Sequence, residues 1–188
     1  MRGIPTTFDG VNFRSRLEAK WACFFTLAEW EWQYEPCDFR RWIPDFALYG
    51  KQRVYVEVKP VVAFPEDVAK EIDASGCTDE VLIVGERGPF GVRDTVFPEA
   101  SAIGWLRQAG ACDNDREWCW SECVVVSFRD YASGVPVIGF CHETGGWGDR
   151  MTGDHDGNWG ACGDAAEQAR KLWKQAGNIT QWRPRVTT

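Results

Sequence analysis

The sequence predicts a mixed α/β domain, with a core of element order α-β-β-β-α-β around a mixed sheet and a β-rich C-terminal extension that ends in a helix. Three observations predict it. The run Arg53 to Lys59 alternates, with Val54, Val56 and Val58 on one side and Tyr55, Glu57 and Lys59 on the other, which is the two-residue period of a strand. The run Val81-Leu82-Ile83-Val84 is wholly apolar and suits a strand buried on both faces. Between them a helix is expected from Pro65 to about Ser75, and a strand–helix–strand connection of that length implies a parallel pair with a right-handed crossover.

Met1 to Asn12 reads as an irregular lead-in. A first helix follows from Ser15 to Ala28 or Glu29, because Ser15-Arg16-Leu17-Glu18 has capping-box spacing. Leu17, Trp21, Phe24 and Ala28 form its apolar stripe. Glu18 lies one step round from Leu17, at the edge of the buried face. Glu31 to Glu35 alternates as a strand that Pro36 ends. Trp42 to Leu48, apolar apart from Asp45, pairs with Arg53 to Lys59 across the turn Tyr49-Gly50-Lys51-Gln52, where Gly50 is expected to take a positive φ. That hairpin brings Asp45 near Glu57 and Lys59. The second helix begins at Pro65, buries Val68 and Ile72, and stops at Gly76.

Beyond Gly85, strands are expected at Val92 to Phe97, Ile103 to Leu106, Trp118 to Phe128 and Val135 to Phe140, with Ser133-Gly134 in the turn before the last. Thr144 to Gly163 is rich in glycine and aspartate and reads as a surface loop, and Ala165 to Gln175 as a helix ending near Gly177. The core is assigned to residues 1–91. The extension, 92–188, is expected to pack on the core rather than fold alone.

The chain has 188 residues, 44% of them hydrophobic, which is enough for a normal core and excludes a disordered protein. Its eleven tryptophans imply a large buried aromatic payload or an exposed stacking surface. No apolar run reaches the roughly 20 residues of a membrane span. The start MRGIPTTFDG lacks the apolar region of a signal peptide, so a cytoplasmic protein is expected, with no membrane partner. The eight cysteines are then expected to be mostly thiols, some of them available to a metal. A net charge of −7 argues against a non-specific coat on nucleic acid. After Glu167, however, no acid follows, while Arg170, Lys171, Lys174, Arg183 and Arg185 do, making a basic island on an acidic body.

Two carboxylates and a lysine at strand ends suggest a magnesium site for phosphodiester chemistry, since magnesium takes oxygen ligands and keeps several waters. Pro44-Asp45 on one strand and Glu57-Val58-Lys59 on the next, in this element order, resemble the PD-(D/E)xK nuclease superfamily, the restriction-endonuclease-like fold. FRSRLEAKWA, IPDF and VEVKP together are similar to small nucleases of phages and mobile elements. The resemblance covers residues 13–85. It implies a Mg2+- or Mn2+-dependent endonuclease, acting on DNA, that would work in a host cytoplasm if phage-encoded. Asp45 and Glu57 would ligate the metal, with the Val58 carbonyl as a third ligand, and Lys59 would orient the water or stabilise the transition state. Glu18 is similar to the extra acidic residue many members place on the first helix, although a capping role alone also explains it. Members of the superfamily commonly form homodimers.

Candidate nucleic-acid contacts are Arg14, Arg16 and Lys20 at the start of the first helix, Arg40 and Arg41 before Asp45, Arg170 and Lys174 on the last helix, and Trp182-Arg183 in the tail. Cys112, Cys119, Cys123 and Cys141, beside His142, form a possible Zn2+ set, though no paired CxxC knuckle is present. Asp154-His155-Asp156-Gly157-Asn158 has the opening of a calcium loop, but Trp159 stands where glycine is required and Ala165 where the closing glutamate belongs. Two rival functions remain open: an RNA endonuclease, and a non-catalytic binding or anti-defence protein that engages a host protein through its acidic surface.

Overall fold

In the computed structural model the described residues are 3–88, 102–109, 118–129, 136–142, 148–153 and 162–181. Among them the chain is mixed α/β. Strands β1 (Thr6–Phe8) and β2 (Val11–Phe13) form a separate antiparallel hairpin. This corrects the expected irregular lead-in. Asp9 and Gly10 both take positive φ, 48° and 77°, the turn geometry that lets two strands twist together over two residues.

Helix α1 (Arg16–Leu27) follows, then β3 (Trp32–Tyr34), β4 (Phe46–Tyr49) and β5 (Arg53–Val58) as an antiparallel meander. Helix α2 (Glu66–Asp73) leads to β6 (Glu80–Val84), which pairs parallel with β5 as expected. Strands β7 (Ala102–Ala109), β8 (Trp118–Arg129) and β9 (Pro136–His142) continue the same sheet by antiparallel pairing, and α3 (Cys162–Ile179) closes the order. The sheet runs β3-β4-β5-β6-β7-β8-β9. The boundary drawn between residues 91 and 92, and the strand expected at Val92 to Phe97, lie outside the described residues.

Both faces of the sheet are covered. On one side Val54, Val56, Val58, Leu82 and Leu106 pack against α1 and α3, where Trp21, Phe24 and Trp173 meet with ring centroids 4.5–6.0 Å apart. On the other, Tyr55, Val81, Ile83 and Trp105 pack under α2 with Trp42 and Ile72. The alternation in β5 therefore separates two buried faces, because α2 covers what an exposed face would have left to solvent. Burying each such side chain contributes roughly 1.5–3 kcal/mol.

Other expectations are corrected by packing. The strand expected from Trp42 begins only at Phe46, because Trp42 turns back to exchange backbone hydrogen bonds with Phe39 at 2.8 and 3.1 Å. Gly50 is not among the positive-φ residues. Its hydrogen is needed because a Cβ there would stand 2.5 Å from the Arg150 carbonyl oxygen. The segment 148–153 is no surface loop, since Asp149 and Arg150 are buried. Arg150 forks onto both oxygens of Glu80 at 2.8 and 2.9 Å, and Lys51 and Gln52 donate to the carbonyls of Met151 and Arg150. Helix α3 runs through Gly177, where the missing side chain leaves room for Lys20 of α1.

Candidate active site

Asp45 precedes β4, and Glu57 and Val58 end β5, with Lys59 next in the chain. The antiparallel register sets Phe46 opposite Val56, which carries Asp45 to the end of β5. Its Oδ2 accepts the Val58 N–H at 2.7 Å. Glu57 Oε1 pairs with Lys59 Nζ, and Glu57 Oε2 accepts the Trp42 indole N–H at 2.8 Å. Asp45 and Glu57 are each only 4% exposed. The expected trio thus meets at one strand end.

Glu18 joins from α1. Ser15 caps the helix, its Oγ accepting the Glu18 N–H at 3.1 Å and donating to Glu18 Oε1 at 2.6 Å. Glu18 Oε2 accepts the Tyr34 hydroxyl at 2.6 Å and the Arg14 N–H at 3.2 Å. Arg14 spans the groups: its Nη2 lies 2.7 Å from Asp45 Oδ1 and 3.2 Å from Glu35 Oε1.

The electrostatics follow from burial and crowding. Burial, then the negative charges of Glu57 and Glu18, push the Asp45 carboxyl up to about 7, although the Val58 N–H and Lys59 pull it down. Burial alone lowers the Lys59 ammonium, but Glu57 and Asp45 reverse this, so Lys59 is held above its ordinary value. Arg14 likewise ends higher than usual: burial lowers it, and Tyr34, Asp45 and Glu35 more than compensate. Burial and the hydrogen bond to Glu18 hold the Tyr34 phenol at about 12, so it remains a donor.

Among the described residues no three His, Cys, Asp or Glu side chains are grouped so as to hold a metal. Asp45 and Glu57 are a buried two-carboxylate, all-oxygen donor pair. Such a pair fits a hard cation that keeps most of its waters, such as Mg2+ or Mn2+, better than a zinc centre closed by four protein ligands.

The remaining candidates disperse. Arg40 and Arg41 are exposed in the turn between Phe39 and Trp42, Arg41 with φ 72°, next in the chain to the Trp42 whose indole binds Glu57. Lys20 Nζ lies 3.8 Å from the centre of the Trp173 ring, between α1 and α3, which is packing rather than an open contact. Arg16 is half-buried, and its Nε has no hydrogen-bond partner. Arg170 and Lys174 are exposed on α3. Cys119 is disulfide-bonded, which removes it from a set of zinc thiolates. Cys123 and Cys141 are buried outside any disulfide, and burial holds the Cys123 thiol well above its ordinary value. Cys112, the His142 side chain, residues 154–158 and Trp182-Arg183 lie outside the described residues. Among the described residues no helix is long and apolar enough to cross a membrane.

Sequence reasoning missed Trp42, Tyr34 and Glu35, and it placed Arg14 only as a substrate contact. The alternation of Glu31 to Glu35 puts Tyr34 on one face of a strand, but nothing local says that α1 lies opposite. In comparisons with known proteins, the chain matches no family model, no curated protein and no solved structure.

Proposed function

We propose that the protein is a metal-dependent nuclease that hydrolyses phosphodiester bonds of nucleic acid, with DNA as substrate and an endonucleolytic cut. The observation that carries this reading is the meeting of Asp45, Glu57 and Lys59 at the end of β5, two buried carboxylates beside an ammonium. The succession α1, β3, β4, β5, α2, β6 supports it through its resemblance to the restriction-endonuclease-like core. Asp45 and Glu57 would hold the cation, with the Val58 carbonyl as a third ligand. When bound, the cation supplies positive charge against the phosphate and lowers the pKa of a water. Lys59, kept charged by Glu57, orients the attacking water or donates to a phosphate oxygen. Trp42 holds Glu57 in place, and Arg40 and Arg41 stand exposed in the same turn for backbone phosphates.

One observation favours a second reading. Each oxygen of Asp45 and Glu57 already has a protein donor, as in a closed ion-pair cluster of a binding protein that engages a host protein. Cleavage assays separate the two. Plasmid, single-stranded and branched DNA, and RNA, are incubated with Mg2+, Mn2+ or chelator beside a Glu57→Ala control. Metal-dependent cutting lost in the control supports the nuclease and decides between DNA and RNA. A folded protein that cuts nothing moves the weight to the binding reading.

A further inference from the structure

Asp45 has two partners of different kinds. The Val58 N–H on Oδ2 belongs to the backbone of β5 and cannot leave without breaking the sheet. Arg14 on Oδ1 is a side chain, 59% exposed, at the end of a flexible stem. A guanidinium at 2.7 Å and a divalent cation compete for that oxygen, because the two positive charges would repel across one atom. Arg14 is therefore the partner that can yield.

It also has somewhere to go. Glu35 Oε1 lies 3.2 Å from the same Nη2, and Glu35 is itself fastened to the site, its N–H donating to the Asp45 carbonyl oxygen at 3.0 Å. Glu35 holds this place with φ 43°, in the left-handed region that side-chain-bearing residues avoid. The Arg14 backbone stays pinned by its N–H to Glu18 Oε2, so only the side chain need move.

We infer that Arg14 is a resident counter-cation of Asp45, which a divalent cation displaces and Glu35 then retains beside the site, where its remaining donors are available to a substrate phosphate. This rests on the divalent-cation reading of the preceding subsection. It makes Arg14 a competitor of the metal before it is a partner of the substrate, and it makes Glu35 a positioning residue that acts through Arg14.

The test is direct Mn2+ binding by the full chain, read from the electron paramagnetic resonance of free Mn2+, with no substrate present. Arg14→Gln binds Mn2+ about tenfold tighter than the parent, the expected release of one charge-assisted hydrogen bond. The gain persists in about 0.5 M salt, where through-space repulsion between exposed charges is screened. Glu35→Gln binds more weakly, and this loss disappears in the Arg14→Gln/Glu35→Gln double variant. Asp45→Asn abolishes binding. If the parent binds Mn2+ through Asp45 and Arg14→Gln binds no tighter, or tighter only at low salt, the inference is overturned and the metal reading stands. If neither the parent nor Arg14→Gln binds Mn2+, both fall. Should Arg14→Gln fail to fold, the guanidinium resonance of Arg14 in the parent decides. It shifts as diamagnetic Mg2+ is added, whereas an unmoved signal with Mg2+ bound overturns the displacement.

Discussion

The Trp42 indole N–H donates to Glu57 Oε2 over 2.8 Å, and both residues are buried. This bond ties the turn that carries Arg40 and Arg41 to the carboxylate at the end of β5. Trp42 also stacks on Phe39, with ring centroids 5.5 Å apart and planes at 15°, so the ring has a packing role separate from its N–H. Trp42→Phe isolates the donor. It leaves one oxygen of a buried carboxylate short of a partner and lowers unfolding free energy by about 1–3 kcal/mol in urea titrations. Cleavage falls with it. A variant matching the parent in both would show that the indole does not position Glu57.

Lys59 touches Glu57 and is only partly exposed. Lys59→Met keeps the stem and removes the charge. Metal-dependent cleavage drops by about 10²–10³-fold, the loss expected for one transition-state donor. Asp45→Ala and Glu57→Ala remove it altogether, while far-UV circular dichroism stays native. An Asp45→Ala protein that cuts at the parental rate would sink the assignment.

Asp149 gives a pH dependence independent of cleavage. Burial pushes its carboxyl up to about 6 from the ordinary 3.8, against the Met151 N–H, the Thr152 hydroxyl and the Phe140 N–H that pull it down. The folded protein then keeps a proton that the unfolded chain has released. The resulting stability is fully present below about pH 4 and is lost as pH rises through about 6, on the order of 3 kcal/mol in all. Asp149→Asn does not titrate there. The difference in unfolding free energy between the parent and Asp149→Asn therefore falls from pH 4 to 6, and a flat difference would contradict the raised pKa.

Gly50 is a test of the clasp between the β4–β5 turn and residues 148–153. A Cβ at position 50 would meet the Arg150 carbonyl oxygen at 2.5 Å and the Met151 Cα at 2.6 Å, both backbone atoms that cannot swing aside. Gly50→Ala costs about 1–3 kcal/mol, as overpacking does. Thermal unfolding shifts down, while Mn2+ affinity at the far end of β5 is unchanged. An unshifted melting temperature would mean that the clasp is loose.

Much of this protein is local enough to be determined by sequence alone. Ser15 and Glu18 start α1 because capping acts over three residues. The alternation of Val54, Val56 and Val58 and the apolar run Val81 to Val84 place β5 and β6, and the length between them makes the pair parallel. The order of those elements brings Asp45, Glu57 and Lys59 together, since a hairpin register fixes which strand ends meet. Asp9-Gly10 is equally legible as the turn of a hairpin. What only the tertiary structure decided lies in contacts between segments with no shared period. Arg14 reaches Asp45 across 31 residues of chain, Tyr34 reaches Glu18 across 16, and Arg150 reaches Glu80 across 70. A side chain's own neighbours set its secondary structure, whereas its charge partner is set by whatever the fold packs against it. For that reason a residue that reads as a free basic contact in the sequence, Arg14, proves to be bound to the carboxylate at the centre of the site.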